Sequence, residues 1–312
     1  MRDPLVIHPP PPRHRLCRLL GAAALVANRA RRSIWRYPRP RSFSRRDVYR
    51  AAAYDLMVVD GWERALANYV GNMAGLADRC VVEIGPGPDL GAGVVALWRG
   101  ARRYVALDSR ALAGRTKPRF YQALLERLND SEPSPEKTRA VQEELALLSA
   151  GRPRRLEYLT GQSPRILAGR QIDLVVSQAV LEHVVDLESL LADLALAVRD
   201  GAIFVAEVDF QTHTRRLREL DPLNIYRYGE RFYGACRFEG APTRRRPDQY
   251  VEALQHSGWT DVRMFERAVL ADDYVARVLP RLAEPFRRRE ARMDVLTGVL
   301  CARWEWLRPQ GT

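Results

Sequence analysis

The sequence predicts an α/β fold, a mostly parallel sheet with helices on both faces, and three observations carry that prediction. Cys80–Asp108, reading CVVEIGPGPDLGAGVVALWRGARRYVALD, runs from a β-branched apolar segment through a glycine loop and a helix-length stretch into a second short strand, a βαβ unit. Ile172–Ser177, IDLVVS, is followed by apolar residues at helical spacing (Val180, Leu181, Val184, Leu187, Leu190, Leu191, Leu194), which marks strand passing into helix. A chain of 312 residues is long enough for one large domain or two modest ones.

Taken in order, residues 1–46 read as a basic extension. His8–Pro12 is HPPPP, and the segment ends in RYPRPRSFSRR, a proline density that favours extended chain. The first 50 residues hold 13 arginines against two acids, so eleven of the twelve net positive charges lie there and the rest of the chain is nearly balanced. Such an arm can hold nucleic acid or an anionic membrane surface, and it can equally be solvated chain. Leu19–Ala27, LLGAAALVA, has the outline of a signal-peptide core, but arginines follow at once and it reads as a helix of the arm with peripheral membrane contact. No apolar run approaches 18 residues, so no transmembrane helix is expected. Cys17, Cys80, Cys236 and Cys301 lack C-x-x-C spacing, which argues against a zinc site or disulfide scaffold and fits a reducing cytosol; no metal site is expected.

Residues 47–312 read as the folded domain. Val48, Ala52, Leu56 and Val59, then Ala65, Leu66 and Tyr69 beyond Gly61, predict one or two helices before the first strand. Helices follow at Pro118–Leu128 and Thr138–Leu148, a third strand at Leu156–Leu159, a fifth at Ala202–Val208 after an Asp200–Gly201 turn, a sixth at Val262–Phe265 and a last at Val295–Ala302. Residues 209–247 form an insertion after the fifth strand that would lie over the carboxyl edge of the sheet as a lid.

The glycine loop narrows the ligand. Gly85, Gly87 and Gly91 loosely match a dinucleotide fingerprint, but Pro86 and Pro88 remove two backbone donors that a pyrophosphate would use. Glu83, Gly85 and Gly87, with Asp108 about twenty residues on, resemble the first motif and ribose-binding acid of class I S-adenosylmethionine (SAM)-dependent methyltransferases. Asp173, the apolar strand after it and V-L-E-H-V strengthen the resemblance. It implies a Rossmann-like sheet of seven strands, mostly parallel with the last antiparallel, and SAM as cofactor. It places Glu83, Gly85, Gly87, Asp108, Gln162 and Ser177 at the cofactor, with Gln162 standing where many relatives carry an adenine-contacting acid.

The segments AEVDFQTH, DPLNIYRY and TRRRPDQYVEAL are similar to a narrower group from bacterial glycan and natural-product loci. That likeness implies methyl transfer to a small-molecule or glycan-like acceptor, most plausibly at oxygen, in the cytoplasm. His213, oriented by Asp209, and His183 are the candidate bases, each with a plain structural reading beside it. Two other readings stay open: a nucleic-acid modifying or binding protein using the arm, and a SAM-binding scaffold without catalysis.

Overall fold

The computed structural model describes residues 3–34, 45–71 and 75–306. The proline-rich stretch expected around residues 35–44 lies outside them. In chain order the elements are β1 (Leu5–Ile7), α1 (His14–Ile34), α2 (Arg45–Val70), β2 (Cys80–Ile84), α3 (Gly91–Trp98), β3 (Arg103–Asp108), α4 (Pro118–Ser131), α5 (Pro135–Ser149), β4 (Leu156–Thr160), β5 (Ile172–Gln178), α6 (Leu187–Ala195) and β6 (Val198–Asp209). The second half adds α7 (Arg215–Leu220), α8 (Glu230–Cys236), α9 (Pro247–His256), β7 (Trp259–Leu270), α10 (Asp272–Val278) and β8 (Val295–Trp304).

The strands form a single sheet in the order β1-β7-β8-β6-β5-β2-β3-β4. The pairings from β4 through β6 are parallel, and β8 runs antiparallel to both β6 and β7. The expected seven strands are present, and among the described residues the count is corrected to eight by β1, which pairs in parallel with β7 through Leu5–Ala268 to Ile7–Leu270. An edge strand of three residues carries too little pattern to be legible before its partner is known.

Alternation along the strands sorts the core onto two faces. Val81, Tyr104, Ala106, Leu174 and Val176 pack with α2, α3 and α4, whereas Val82, Val105, Val175 and Phe204 pack with α6 and α9. Helix α3 is buried at every position, which is why its sequence GAGVVALW is apolar all round. Helix α4 starts on Pro118, whose missing N–H costs nothing there, and the Asp186 side chain caps α6 by accepting from Ser189 N at 3.0 Å. Asp173, at the start of β5, accepts from Cys80 N at 2.6 Å and pairs with Arg102 and Arg199, so it staples the far end of the sheet.

The sequence boundaries were short on the antiparallel side. β6 starts at Val198 rather than Ala202, because Gly201 takes φ 75° within the strand and the register against β5 shifts there instead of the chain turning away. The segment after β6 forms a third apolar cluster with Leu223, Ile225, Tyr226, Tyr228 and Tyr233 packed on Tyr274, Val278 and Leu296. Its arginines are largely structural. Arg246 donates to the Ala291 and Val295 carbonyls at 2.9 and 2.8 Å, and Arg227 pairs with buried Asp221 at 2.6 Å.

Residues read from sequence as an extension are docked on this insertion. The Asn224 amide donates to Cys17 O at 2.8 Å and the Tyr228 hydroxyl to Arg18 O at 2.7 Å, while Gly21 is the point of closest approach, where a Cβ would overlap both side chains.

Candidate functional site

The strand order reverses between β2 and β5, where one neighbour leads outward through β3 and the other through β6. Open α/β sheets hold ligands in the crevice beyond the strand ends at such a reversal. The sequence puts its glycine loop there. Gly85 and Gly87 adopt φ 75° and 77°, a region closed to most side chains, and a Cβ on Gly85 would lie 2.5 Å from Val180, which descends from the end of β5.

Asp108 ends β3 beside this loop. Its carboxylate accepts from Gly87 N at 3.2 Å and Arg110 N at 2.9 Å, and at 8% exposure burial pushes its pKa above the ordinary value despite those donors. With the Ser109 side chain as a further donor, part of the carboxylate's acceptor capacity is still open. Glycine loop and acid thus meet at the mouth of the first βαβ unit.

Other cofactor candidates are placed differently. Glu83 points from β2 into the face that carries α2 and α3, where it accepts from the Tyr104 hydroxyl at 2.7 Å. Burial, then the charges of Asp89 and Asp108, push it up to about 8, so it supports the loop as a largely protonated group at neutral pH. Nearby, Asp89 is pushed up to about 6 and Asp55 well above the carboxylate range, both chiefly by burial; Asp89 accepts from Gly91 N at 2.9 Å. Ser177 is fully buried and donates to the Ile84 carbonyl at 3.0 Å, tying β5 to β2. Gln162 is exposed in the turn after β4.

On the acceptor side the expected pairing of Asp209 with His213 is replaced. Asp209 accepts from Arg218 at 2.7 Å and from Gln211 N at 3.0 Å, so its carboxylate is turned toward α7. His213 bonds through Nδ1 to the Gln211 carbonyl at 2.9 Å and presents Nε2 toward Glu182 Oε1 at 3.8 Å. His183 lies edge-on to it, with ring centroids 4.8 Å apart. The structure therefore brings His183 and His213 together, with Glu182 as the carboxylate.

Local backbone explains the grouping. After β5, Ala179 takes φ 50° with its N–H on Glu207 O at 2.9 Å, and the short 3₁₀ turn Leu181–His183 aims Glu182 and His183 at the carboxyl edge. Glu182 O in turn accepts from Thr243 N at 2.7 Å, which seats the insertion against this turn. Burial raises the Glu182 carboxyl and lowers the His183 imidazole to about 4. For His213, burial works against the charged ring but is outweighed by Glu182, Asp209 and the Gln211 carbonyl, and its pKa is raised. Sequence reasoning missed Glu182 as a site residue although Glu-His stands in the quoted V-L-E-H-V, since adjacency in a turn does not reveal what faces it.

Among the described residues, the sheet order, the antiparallel β8 and the loop beside Asp108 make a Rossmann-like α/β fold with a crevice at its glycine loop. No family model and no curated protein matches the chain. Among solved structures it is similar to the Haloferax volcanii complex of the Trm112 methyltransferase activator with a methyltransferase (16% identity, 85% of this chain and 99% of that one, TM-score 0.43). It is also similar to an S-adenosylmethionine-dependent methyltransferase from Mesorhizobium loti (16%, 78% and 99%, TM-score 0.42). A third is phosphoethanolamine N-methyltransferase 2 of Haemonchus contortus in complex with S-adenosyl-L-methionine (12%, 81% and 53%, TM-score 0.42). Likenesses of this size assign no activity.

Proposed function

We propose that the protein is a methyltransferase that moves the methyl group of SAM to an oxygen of a small-molecule or glycan-like acceptor. The observation that supports it best is the Gly85–Gly87 loop folded against Asp108 at the strand-order reversal. Asp108 offers a ribose diol a carboxylate with free acceptor sites, and Pro86 and Pro88 leave the loop poor in the donors a pyrophosphate needs.

SAM's methyl is already electrophilic, so the protein's task is in-line placement of the acceptor. The acceptor oxygen supplies the electron pair of the new C–O bond and gives up its proton to solvent water, the C–S pair returns to sulfur and S-adenosylhomocysteine leaves. The insertion after β6, seated on the Glu182 turn, is the element that would select the acceptor. We place this chemistry in the reducing cytosol, consistent with four free, buried cysteines. Among the described residues no helix is long and apolar enough to cross a membrane, and α1 exposes Leu16, Leu19, Leu20 and Val26 among its arginines, which supports peripheral contact with an anionic surface.

Calorimetry with SAM tests the reading. Asp108→Ala removes two charge-assisted hydrogen bonds of about 1.5–3 kcal/mol each and should weaken binding by at least tenfold. Unchanged affinity in this variant, or no SAM binding by the native chain, would refute it.

A further inference from the structure

Glu182, His183 and His213 place one potential ligand atom each within 4.8 Å of the others. Their surroundings leave those atoms without partners. Glu182 is 3% exposed, and neither of its carboxylate oxygens has a hydrogen-bond partner. The 3.8 Å from Oε1 to His213 Nε2 is too long to be one. His183 Nδ1 is buried and equally unpartnered. A buried carboxylate and a buried ring nitrogen, side by side and unsatisfied, require a compensating cation or donor.

The histidines are prepared for a cation. His213 donates its Nδ1–H to the Gln211 carbonyl at 2.9 Å, so the lone pair that the ring offers when neutral is on Nε2, on the Glu182 side. Ligating histidines in metalloproteins characteristically donate their other N–H to a carbonyl or carboxylate in this way. The unpartnered, buried Nδ1 of His183 is free to serve as a lone-pair donor.

We propose that Glu182, His183 and His213 bind a divalent transition-metal cation at the acceptor edge of the site. One carboxylate and two imidazoles, with no thiolate, suit Mn(II), Fe(II), Co(II) or Zn(II) better than the all-oxygen preference of magnesium and calcium. Bonds of about 2.0–2.2 Å require the three atoms to close by roughly an ångström. The half-exposed His213 side chain and the short turn bearing Glu182 and His183 are the parts that can move. Three protein ligands leave coordination positions open for an acceptor hydroxyl.

This role rests on the methyl-transfer reading above and gives the acceptor hydroxyl a way to lose its proton. A coordinated hydroxyl becomes more acidic and releases its proton to solvent water. The oxygen lone pair then forms the C–O bond to the methyl carbon while the C–S bonding pair moves to sulfur, giving a methyl ether and neutral S-adenosylhomocysteine.

The test uses the full chain, freed of metal by a chelator and desalted, titrated with Co(II) followed by visible absorption and with Mn(II) by calorimetry. One ion per chain is expected, with cobalt bands that saturate at that ratio. His213→Ala and Glu182→Gln should each weaken uptake by about tenfold or more, with SAM affinity measured separately and unchanged. No saturable uptake by the native chain, or equal uptake by both variants, overturns the site. His213→Ala replaces a half-exposed side chain, so it decides the matter if Glu182→Gln does not fold. Metal uptake with no SAM binding would refute the methyl-transfer reading and leave the metal site standing; SAM binding without uptake would do the reverse.

Discussion

Glu83 and Asp108 stand at the ends of neighbouring strands, yet their carboxylates do different work. Asp108 is drawn to the loop by two backbone donors, whereas Glu83 is sealed beneath it against Tyr104. Because burial raises the folded pKa of Glu83 to about 8 from an ordinary 4.5, the folded state keeps a proton that the unfolded chain gives up. The stabilising contribution is fully present below pH 4.5 and is lost as pH rises through 8. Asp55 and Asp89 act with the same sign over their own ranges. In ligand-free protein the melting temperature should therefore fall between pH 6 and pH 8.5, and fall less in Glu83→Gln, where a neutral amide still accepts from Tyr104. Parallel melting curves for the two proteins would show that Glu83 is not the group responsible.

At the scale of elements, α1 is the piece whose role changed most between sequence and structure. Its charge suggested an arm outside the domain, but Cys17 O and Arg18 O satisfy Asn224 and Tyr228 of the insertion, and Gly21 allows the contact. Gly21→Ala forces overlap at this contact and should destabilise by about 1–3 kcal/mol, the usual range for overpacking. The cofactor crevice lies at β2 and β5, away from α1, so SAM affinity measured by calorimetry should not change. Deletion of residues 1–44 is expected to behave alike, with SAM binding retained and the α7–α8 segment opened to limited proteolysis. Loss of SAM affinity in either protein would make α1 part of the cofactor site.

For the molecule as a whole, the three apolar clusters share one sheet, so ligand binding at the crevice should stabilise the fold by mass action. S-adenosylhomocysteine at a hundred times its Kd adds about 2.7 kcal/mol. For a chain of this length that corresponds to a rise of about 4 °C in Tm. The same concentration should move Asp108→Ala much less. An equal shift in both proteins would place the ligand somewhere other than beside Asp108.

The sequence by itself determined the parallel half of the sheet. β-branched runs at Cys80–Ile84 and Ile172–Ser177 suit buried strands better than helices, and glycines able to take positive φ mark the loop between strand and helix. The same local logic singled out Asp108, His183 and His213. Tertiary structure alone decided which side chains face one another. Hydrophobic periodicity does not report on a three-residue edge strand such as β1, on a glycine bulge that extends β6, or on the partner a polar side chain finds across the fold. Asp209 was expected to orient His213 because the two are close in sequence, but Arg218, one turn into α7, is closer in space and carries the full charge. Glu182 reaches His213 only because the turn after β5 and the loop after β6 converge at one sheet edge, a long-range contact that no local pattern encodes.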